Sequence, residues 1–327
     1  MSNRLLKRAP VAAVVAAAAL TLAACGGDNN DSGGGSAGGG GEQVSGAVVI
    51  DGSSTVEPLS SAAAELFQSE NSGVNVTVAT SGTGGGFTKF CAGETDISNA
   101  SRPISEKEKT ACAGKNIAYT ELQVANDALT VVVHKDNTWA ECLTVEQLKK
   151  MWNSTSTVKN WNEVDAKFPN EPLTLYGAGA DSGTFDYFTA AVNGKEKDSR
   201  KDYNPTEDDN VTVQGVAAAK GALGYFGFSY FDANKDKLKA VKIDGGGGCV
   251  EPSVKAAQDG TYKPLARPLF IYPSDAGLKK PQVLKFVEFY LEKNDEIVTA
   301  AKFVPLTSAQ KDKATKALDE LKAKAGQ

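Results

Sequence analysis

The sequence predicts an α/β protein built as two lobes, and three observations carry that expectation. Short apolar strand signals alternate with amphipathic helix signals from Gly46 onward. The turns that leave the strands are polar and glycine-rich, as at the ligand-binding ends of open α/β sheets. The roughly 300 residues behind the N-terminal leader exceed what one hydrophobic core organises, since single cores stop growing near ~250–300 residues.

The first two dozen residues are not expected to join the fold. Arg4, Lys7 and Arg8 form a basic stretch, and Ala12 to Ala24 is apolar and rich in Ala and Val. That stretch is too short to span a bilayer comfortably and fits the apolar region of a secretory signal. It ends in Leu22-Ala23-Ala24-Cys25, the pattern of a bacterial lipobox. Residues 1–24 therefore read as a lipoprotein signal peptide, with Cys25 as the lipidated residue. Gly26 to Gly41 holds 9 glycines in 16 residues, the rest mostly Ser, Asp and Asn. Such a chain cannot bury a core, and residues 25–45 are expected to form a flexible tether of roughly 20–25 Å. The expected location is the outer face of a bacterial cell membrane, held by the lipid.

Ala47-Val48-Val49-Ile50 is a short apolar strand that Asp51-Gly52-Ser53-Ser54-Thr55 turns into a helix. Leu59, Ala63, Leu66 and Phe67 fall on one face of that helix. Val74 to Ala79 alternates as a second strand, and Ser81-Gly82-Thr83-Gly84-Gly85-Gly86 leads into a short helix, Phe87 to Cys91. Asp96 to Ala100 is a third strand, completing a βαβαβ unit. Ala128 to His134 is apolar throughout, as expected of a buried parallel strand. Val145 to Met151 is helical, Leu173 to Tyr176 is a strand, and Phe185 to Val192 is a helix. Gly221 to Phe228 and Pro268 to Tyr272 read as further strands. Two amphipathic helices, Gln282 to Lys293 and Thr307 to Ala325, close the chain.

Charge and cysteine content narrow the function classes. The formal net charge is −5, and the leader carries three cations and no anion, so the chain behind it is more acidic still. No basic stripe is present to displace counterions, which argues against nucleic acid as a partner. Beyond Cys25 there are Cys91, Cys112, Cys142 and Cys249, which allow three disulfide pairings. They contain no CxxC, and the lone His134 cannot complete a Cys/His set, so no metal or cofactor is expected.

Three strand-to-helix turns share one chemistry. Asp51 to Thr55, Ser81 to Phe87 and Asp181 to Thr184 each place hydroxyls and small residues just before a helix. A helix start carries unpaired N–H groups and about half a positive charge, which suits an oxyanion. Each turn taken alone reads first as an ordinary N-cap. Together, at the strand ends of one α/β chain, they can converge on one cleft.

Four blocks carry a family resemblance: Asp51-Gly52-Ser53-Ser54-Thr55-Val56, Ser81-Gly82-Thr83-Gly84-Gly85-Gly86-Phe87, Asp96-Ile97-Ser98-Asn99-Ala100-Ser101-Arg102-Pro103, and Ala180-Asp181-Ser182-Gly183-Thr184-Phe185-Asp186-Tyr187-Phe188. In order and spacing the chain resembles the phosphate-binding substrate-binding protein of Pst-type phosphate ABC importers, from about Gly46 to the C-terminal helices. The resemblance implies a two-lobe periplasmic-binding-protein (Venus-flytrap) fold with a two-stranded hinge. Lobe I would comprise residues 46–123 plus 268–327, and lobe II residues 124–267. On that division Cys91–Cys112 and Cys142–Cys249 is the favoured pairing, because each bridge then stays within one lobe. The implied function is capture of inorganic phosphate and its delivery, as a monomer, to the transmembrane subunits of an importer.

The resemblance also implies a ligand set. Ser54, Thr55 and Val56 would serve in the first turn, Ser81 in the second, and Ser182, Gly183 and Thr184 in the third. Some members have Asp where Arg102 stands and place their arginine where this chain has Ala178. Another branch carries the Ser-Arg pair seen as Ser101-Arg102, so the cation is expected at Arg102. Asp181 is the first candidate for the carboxylate that accepts the ligand's proton. Asp51 is the second, with orientation of Arg102 as its other role. Other readings are a binding protein for sulfate, molybdate or a phosphonate, or a serine hydrolase. The hydrolase fits poorly: the serine of Gly179-Ala180-Asp181-Ser182-Gly183 stands one place late for GxSxG, and a triad would rest on His134 alone. Gly82 to Gly86 matches neither GxGxxG nor a P-loop. No catalysis is expected.

Overall fold

The computed structural model describes residues 44–180 and 182–325. The leader, Cys25, the tether as far as residue 43, and Asp181 lie outside the described residues. Twelve strands are found among the described residues: β1 (Gly46–Gly52), β2 (Val74–Ala79), β3 (Ile97–Ala100), β4 (Leu122–His134), β5 (Cys142–Thr144), β6 (Thr174–Ala178), β7 (Asn204–Thr206), β8 (Ala222–Gly227), β9 (Leu238–Ala240), β10 (Lys242–Asp244), β11 (Cys249–Val250) and β12 (Ala266–Pro273). Nine form one sheet in the order β2-β1-β3-β12-β4-β8-β6-β7, with β9 also on β4, and β11-β10-β5 make a small second sheet.

The predicted βαβαβ unit is present: β1 pairs in parallel with both β2 and β3. Between them run the helices Glu57–Glu70 and Gly82–Cys91. Leu59, Ala63 and Phe67 of the first helix are fully buried, so its apolar spacing marks the core-facing side. The second helix starts at Gly82, five residues before its predicted start at Phe87. Glycine's low helix propensity makes that run read as a loop, but Gly86 packs where a Cβ would come within 2.5 Å of the Gly52 backbone. Close packing of the helix start on the end of β1 overrides propensity.

A second correction concerns Ala128 to His134. The strand begins at Leu122 and is antiparallel to its neighbours β12, β8 and β9. An apolar run reports burial on both faces, and a central antiparallel strand meets that condition as well as a parallel one. The first half of β4 pairs with β12 and the second half with β8 and β9. These two strands carry the chain between the two largest of five apolar clusters found among the described residues.

One core gathers Val48, Ile50, Phe67, Val124, Ile271, Phe286 and Tyr290. The other gathers Leu129, Val131, Trp152, Trp161, Phe188, Tyr225 and Tyr262. In the second, Phe188 stacks on Tyr225 with ring centroids 3.7 Å apart, and Trp152 meets both rings edge-on. Phe188 belongs to helix Gly183–Asn193, so aromatic packing holds the helix whose N-terminus forms the third turn. Among the described residues no helix is long and apolar enough to cross a membrane.

Both favoured disulfides are present. Cys91–Cys112 ties helix Gly82–Cys91 to helix Glu106–Ala113, and Cys142–Cys249 joins β5 to β11 across 107 residues of sequence. Cys91 and Cys112 are buried, whereas Cys142 is half-buried and Cys249 exposed. Access governs thiol exchange. A mild reductant is therefore expected to open Cys142–Cys249 first, lowering stability by roughly 2–4 kcal/mol. Alkylation and mass mapping along a reduction series, with a urea melt at each stage, checks the order and the cost.

Candidate functional site

β1 ends at Gly52 with φ +146°, and a Cβ there would fall 2.1 Å from the Asn99 carbonyl oxygen. Only glycine lets the first turn lie this close to β3. Beyond it the Thr55 amide donates to Ser53 Oγ at 3.2 Å, and the Val56 amide to the Ser53 carbonyl at 3.1 Å. Val56 is fully buried, Thr55 nearly so, and Ser54 half-buried. The Val56 amide thus belongs to an internal turn in this structure. Thr55 Oγ1 donates to the Gly183 carbonyl at 3.4 Å, bringing the first and third turns together. Gly183 has to be glycine, because a Cβ would lie 2.8 Å from both Thr55 N and Thr55 Oγ1.

In the third turn Ser182 caps its helix, its Oγ accepting the Thr184 amide at 3.1 Å. Thr184 borders a small cavity of about 190 Å³ that also touches Asp127 and Lys302. In the second turn Ser81 stands before helix Gly82–Cys91 but makes no side-chain cap bond. Its backbone N–H and hydroxyl instead donate to Asp51 Oδ1, at 2.9 and 2.7 Å. Lys89 pairs with the other Asp51 oxygen. Burial raises the Asp51 pKa, but the hydrogen bonds from Lys89 and Ser81 outweigh it and hold the carboxyl below its ordinary range.

Arg102 is engaged differently from either role considered for Asp51. Its Nη1 and Nη2 each donate to Glu108 at 2.8 Å, and Nη1 also reaches the Pro103 carbonyl at 3.1 Å. Glu108 in turn closes a capping box with Ser105. Glu108, not Asp51, orients Arg102, because the loop after β3 leads directly into the helix that Glu108 helps to cap. Three of the five guanidinium N–H groups are occupied in this way, leaving Nε and one N–H of Nη2.

Two residues of the site were not singled out in the sequence. Arg267 of β12 and Asp127 of β4 are direct partners across the antiparallel ladder. Arg267 Nε meets Asp127 Oδ2 at 3.2 Å, and its Nη2 donates to Thr55 Oγ1 at 2.8 Å. The guanidinium carbon lies 3.4 Å from the ring centroid of Tyr187, on the third-turn helix. One cation thereby touches the first turn, the third-turn helix and both connecting strands. Burial pushes the Asp127 carboxyl up, against the pull of Arg267. Their sequence signal is faint: a single charge at the border of each of two apolar strands.

Ser81, Gly82 to Gly85, Ser101, Arg102, Arg267 and Glu196 enclose a cavity of about 410 Å³. Two guanidiniums thus face one small polar space, although the chain is acidic overall. The start of a ten-residue helix opens onto the same space. Such a wall consists mostly of hydrogen-bond donors and favours a compact anion. Among the described residues no cluster of His, Cys, Asp and Glu could hold a metal ion.

Comparison with known proteins places this geometry in a lineage. The PBP superfamily domain matches residues 37–294. Protein SphX of Synechococcus elongatus is 51% identical over 262 residues, covering 79% of this chain and 77% of its own. The phosphate-binding protein PstS of Staphylococcus saprophyticus is 41% identical over 273 residues, covering 83% of this chain and 84% of its own. The crystal structure of a possible phosphate binding protein from Planctomyces limnophilus is 50% identical and superposes with a TM-score of 0.83, over 85% of this chain and 99% of that one. With two cores and two connecting strands, the chain has the two-lobe periplasmic-binding-protein fold expected from its sequence. It belongs to the PBP superfamily and, within it, to the family of the PstS and SphX proteins.

Proposed function

We propose that this protein captures inorganic phosphate outside the membrane and hands it to an ABC importer. One observation carries the reading: two guanidiniums, from the turn after β3 and from β12, face one cavity beside Ser81 and a helix start. The relatives named as phosphate-binding proteins supply the identity of the anion. The ligand set is Thr55, Ser81, Arg102, Arg267 and the Ser182–Thr184 turn. It lies between a lobe of residues 46–123 plus 268–327 and a lobe of residues 124–267, a division supported by the two cores. The activity is binding, without chemistry on the ligand. Delivery follows from the resemblance to Pst-type receptors, and the lipobox ending at Cys25 supports anchoring at the outer membrane face.

Titration calorimetry on ligand-stripped protein tests the core of this. Phosphate is expected to bind at least about a hundredfold more tightly than sulfate. Equal affinities, or no phosphate binding, overturn the reading. The arginines separate by their surroundings. Arg102→Ala is expected to weaken phosphate by at least about tenfold, with Arg102→Lys an incomplete substitute, at a stability cost of about 1 kcal/mol or less for this half-exposed pair. Arg267→Ala is expected to lose affinity similarly but also roughly 3–5 kcal/mol of stability, because it strands the buried Asp127. Calorimetry with urea melts on both variants reads the contrast.

The anchor has its own test. Cys25→Ser is expected to move the protein from the membrane fraction to the soluble fraction with phosphate affinity unchanged. Retention in the membrane fraction overturns the lipid anchor.

A further inference from the structure

Asp51 sits at the end of β1, buried to 3% exposure, with both carboxylate oxygens engaged. Oδ1 accepts the Ser81 N–H and the Ser81 hydroxyl, and Oδ2 accepts the Lys89 ammonium. An ionised carboxylate can only accept, so the hydroxyl at 2.7 Å has to be the donor. A serine hydroxyl has one hydrogen and two lone pairs. With that hydrogen committed to Asp51, the oxygen has only acceptor capacity left to offer. Its lone pairs are not used in capping the helix that follows, since Ser81 makes no side-chain cap bond. Ser81 is exposed and borders the cavity shared with Arg102 and Arg267.

We propose that Ser81 Oγ accepts the hydrogen bond from the proton carried by bound phosphate. Asp51 is the positioning residue that sets the direction of this hydroxyl, and Lys89 holds Asp51 in place. The inference rests on the phosphate reading above and deepens it. Near neutral pH inorganic phosphate always carries a proton, whereas sulfate carries none. The helix-start amides and the two guanidiniums are donors, suited to unprotonated oxygens. One acceptor among them is satisfied by a P–OH group and left facing a lone pair by sulfate. An acceptor that the ligand covers and leaves without its partner is what makes such a site selective. A neutral hydroxyl with a committed hydrogen performs this role without bringing a full negative charge against an anionic ligand. The charged residues lining the cavity are Arg102, Arg267 and the exposed Glu196; the carboxylates of Asp51 and Glu108 are committed to Ser81 with Lys89 and to Arg102, so Glu196 is the rival acceptor.

The test compares three anions: inorganic phosphate, sulfate, and monofluorophosphate, whose dianion puts fluorine in place of the hydroxyl at equal charge. Affinities are measured by calorimetry near pH 7, with a thermal melt of every variant. The parent is expected to prefer phosphate to both others. In Ser81→Ala phosphate is expected to weaken by about tenfold or more, while sulfate and monofluorophosphate move by less than about threefold or tighten. Asp51→Asn removes the charge that compels the hydroxyl to donate, and is expected to narrow the phosphate-to-monofluorophosphate ratio without touching the ligand. A uniform loss for all three anions in Ser81→Ala makes Ser81 an ordinary donor or a brace of the fold, and overturns the proposal. So does a ratio that survives in Ser81→Ala and collapses instead in Glu196→Gln or Asp181→Asn. Should Asp51→Asn fail to fold, the Ser81→Ala ratio decides alone. A parent that binds no phosphate refutes the functional reading instead, a result distinct from all of these.

Discussion

β4 and β12 run antiparallel in a register that sets Arg267 opposite Asp127, and the site depends on that pairing. A slip of one residue would turn both side chains to the other face of the sheet. Held in register, Arg267 lies where the chain crosses between the two cores, within reach of the first turn through Thr55 and of the third-turn helix through Tyr187. Two charges removed from water are costly unless their remaining groups are also bonded. Here the guanidinium has a carboxylate, a hydroxyl and an aromatic face as partners. The ladder between β12 and β4 shifts register between Leu269 and Phe270, just beyond this pair, where β12 also begins to pair with β3 along its other edge. One strand thereby serves both the ion pair and the βαβαβ sheet.

The polar groups of the three turns show how the same residue types take different duties. Ser182 and Ser105 accept backbone amides at helix starts, as cap residues do. Ser53 accepts an amide within its own turn. Ser81 stands at an equivalent place before a helix, yet its hydroxyl is drawn away by Asp51. The difference is electrostatic: an ionised, buried carboxylate outcompetes the partial charges of helix amides for a nearby hydroxyl. Lys89, in the last turn of the same helix, meets the carboxylate's second oxygen and holds it against the turn. Direction of donation, rather than the mere presence of a hydroxyl, then sets what each serine can offer a ligand.

The two largest apolar clusters draw on different stretches of the chain, and the two disulfides do too. Residues 48–125 and 269–321 supply the first and residues 129–265 the second, while Cys91 and Cys112 sit in a third cluster with Phe87, Phe90 and Tyr272. Among the described residues the chain passes between the first two clusters along β4 and β12. A smaller apolar cluster of Ala128, Ala257 and Val304 packs beside these two strands. The contact between Thr55 and Gly183 is made of polar and backbone atoms, which exchange readily for a ligand or water.

The sequence by itself determined the class of fold, the positions of most long elements, and the three turns rich in hydroxyls and glycine. These are local properties, written in apolar periodicity and in the residues that start helices. Arg102 and the four cysteines were also legible as candidates, though the favoured pairing of the cysteines depended on the lobe division. Tertiary structure decided what periodicity does not encode. The apolar run ending at His134 reports burial and is silent on strand direction, so only the assembled sheet shows β4 antiparallel to its partners. The glycine run after Ser81 is helical because it packs on β1, against its own propensity. Arg267 and Asp127 stand 140 positions apart in the chain, each a single charge with no local motif, and they meet only through the ladder. Likewise the partners of Asp51, at Ser81 and Lys89, come from a different strand-to-helix connection. Such pairings are long-range, and their energy exists only once burial has removed the competing water.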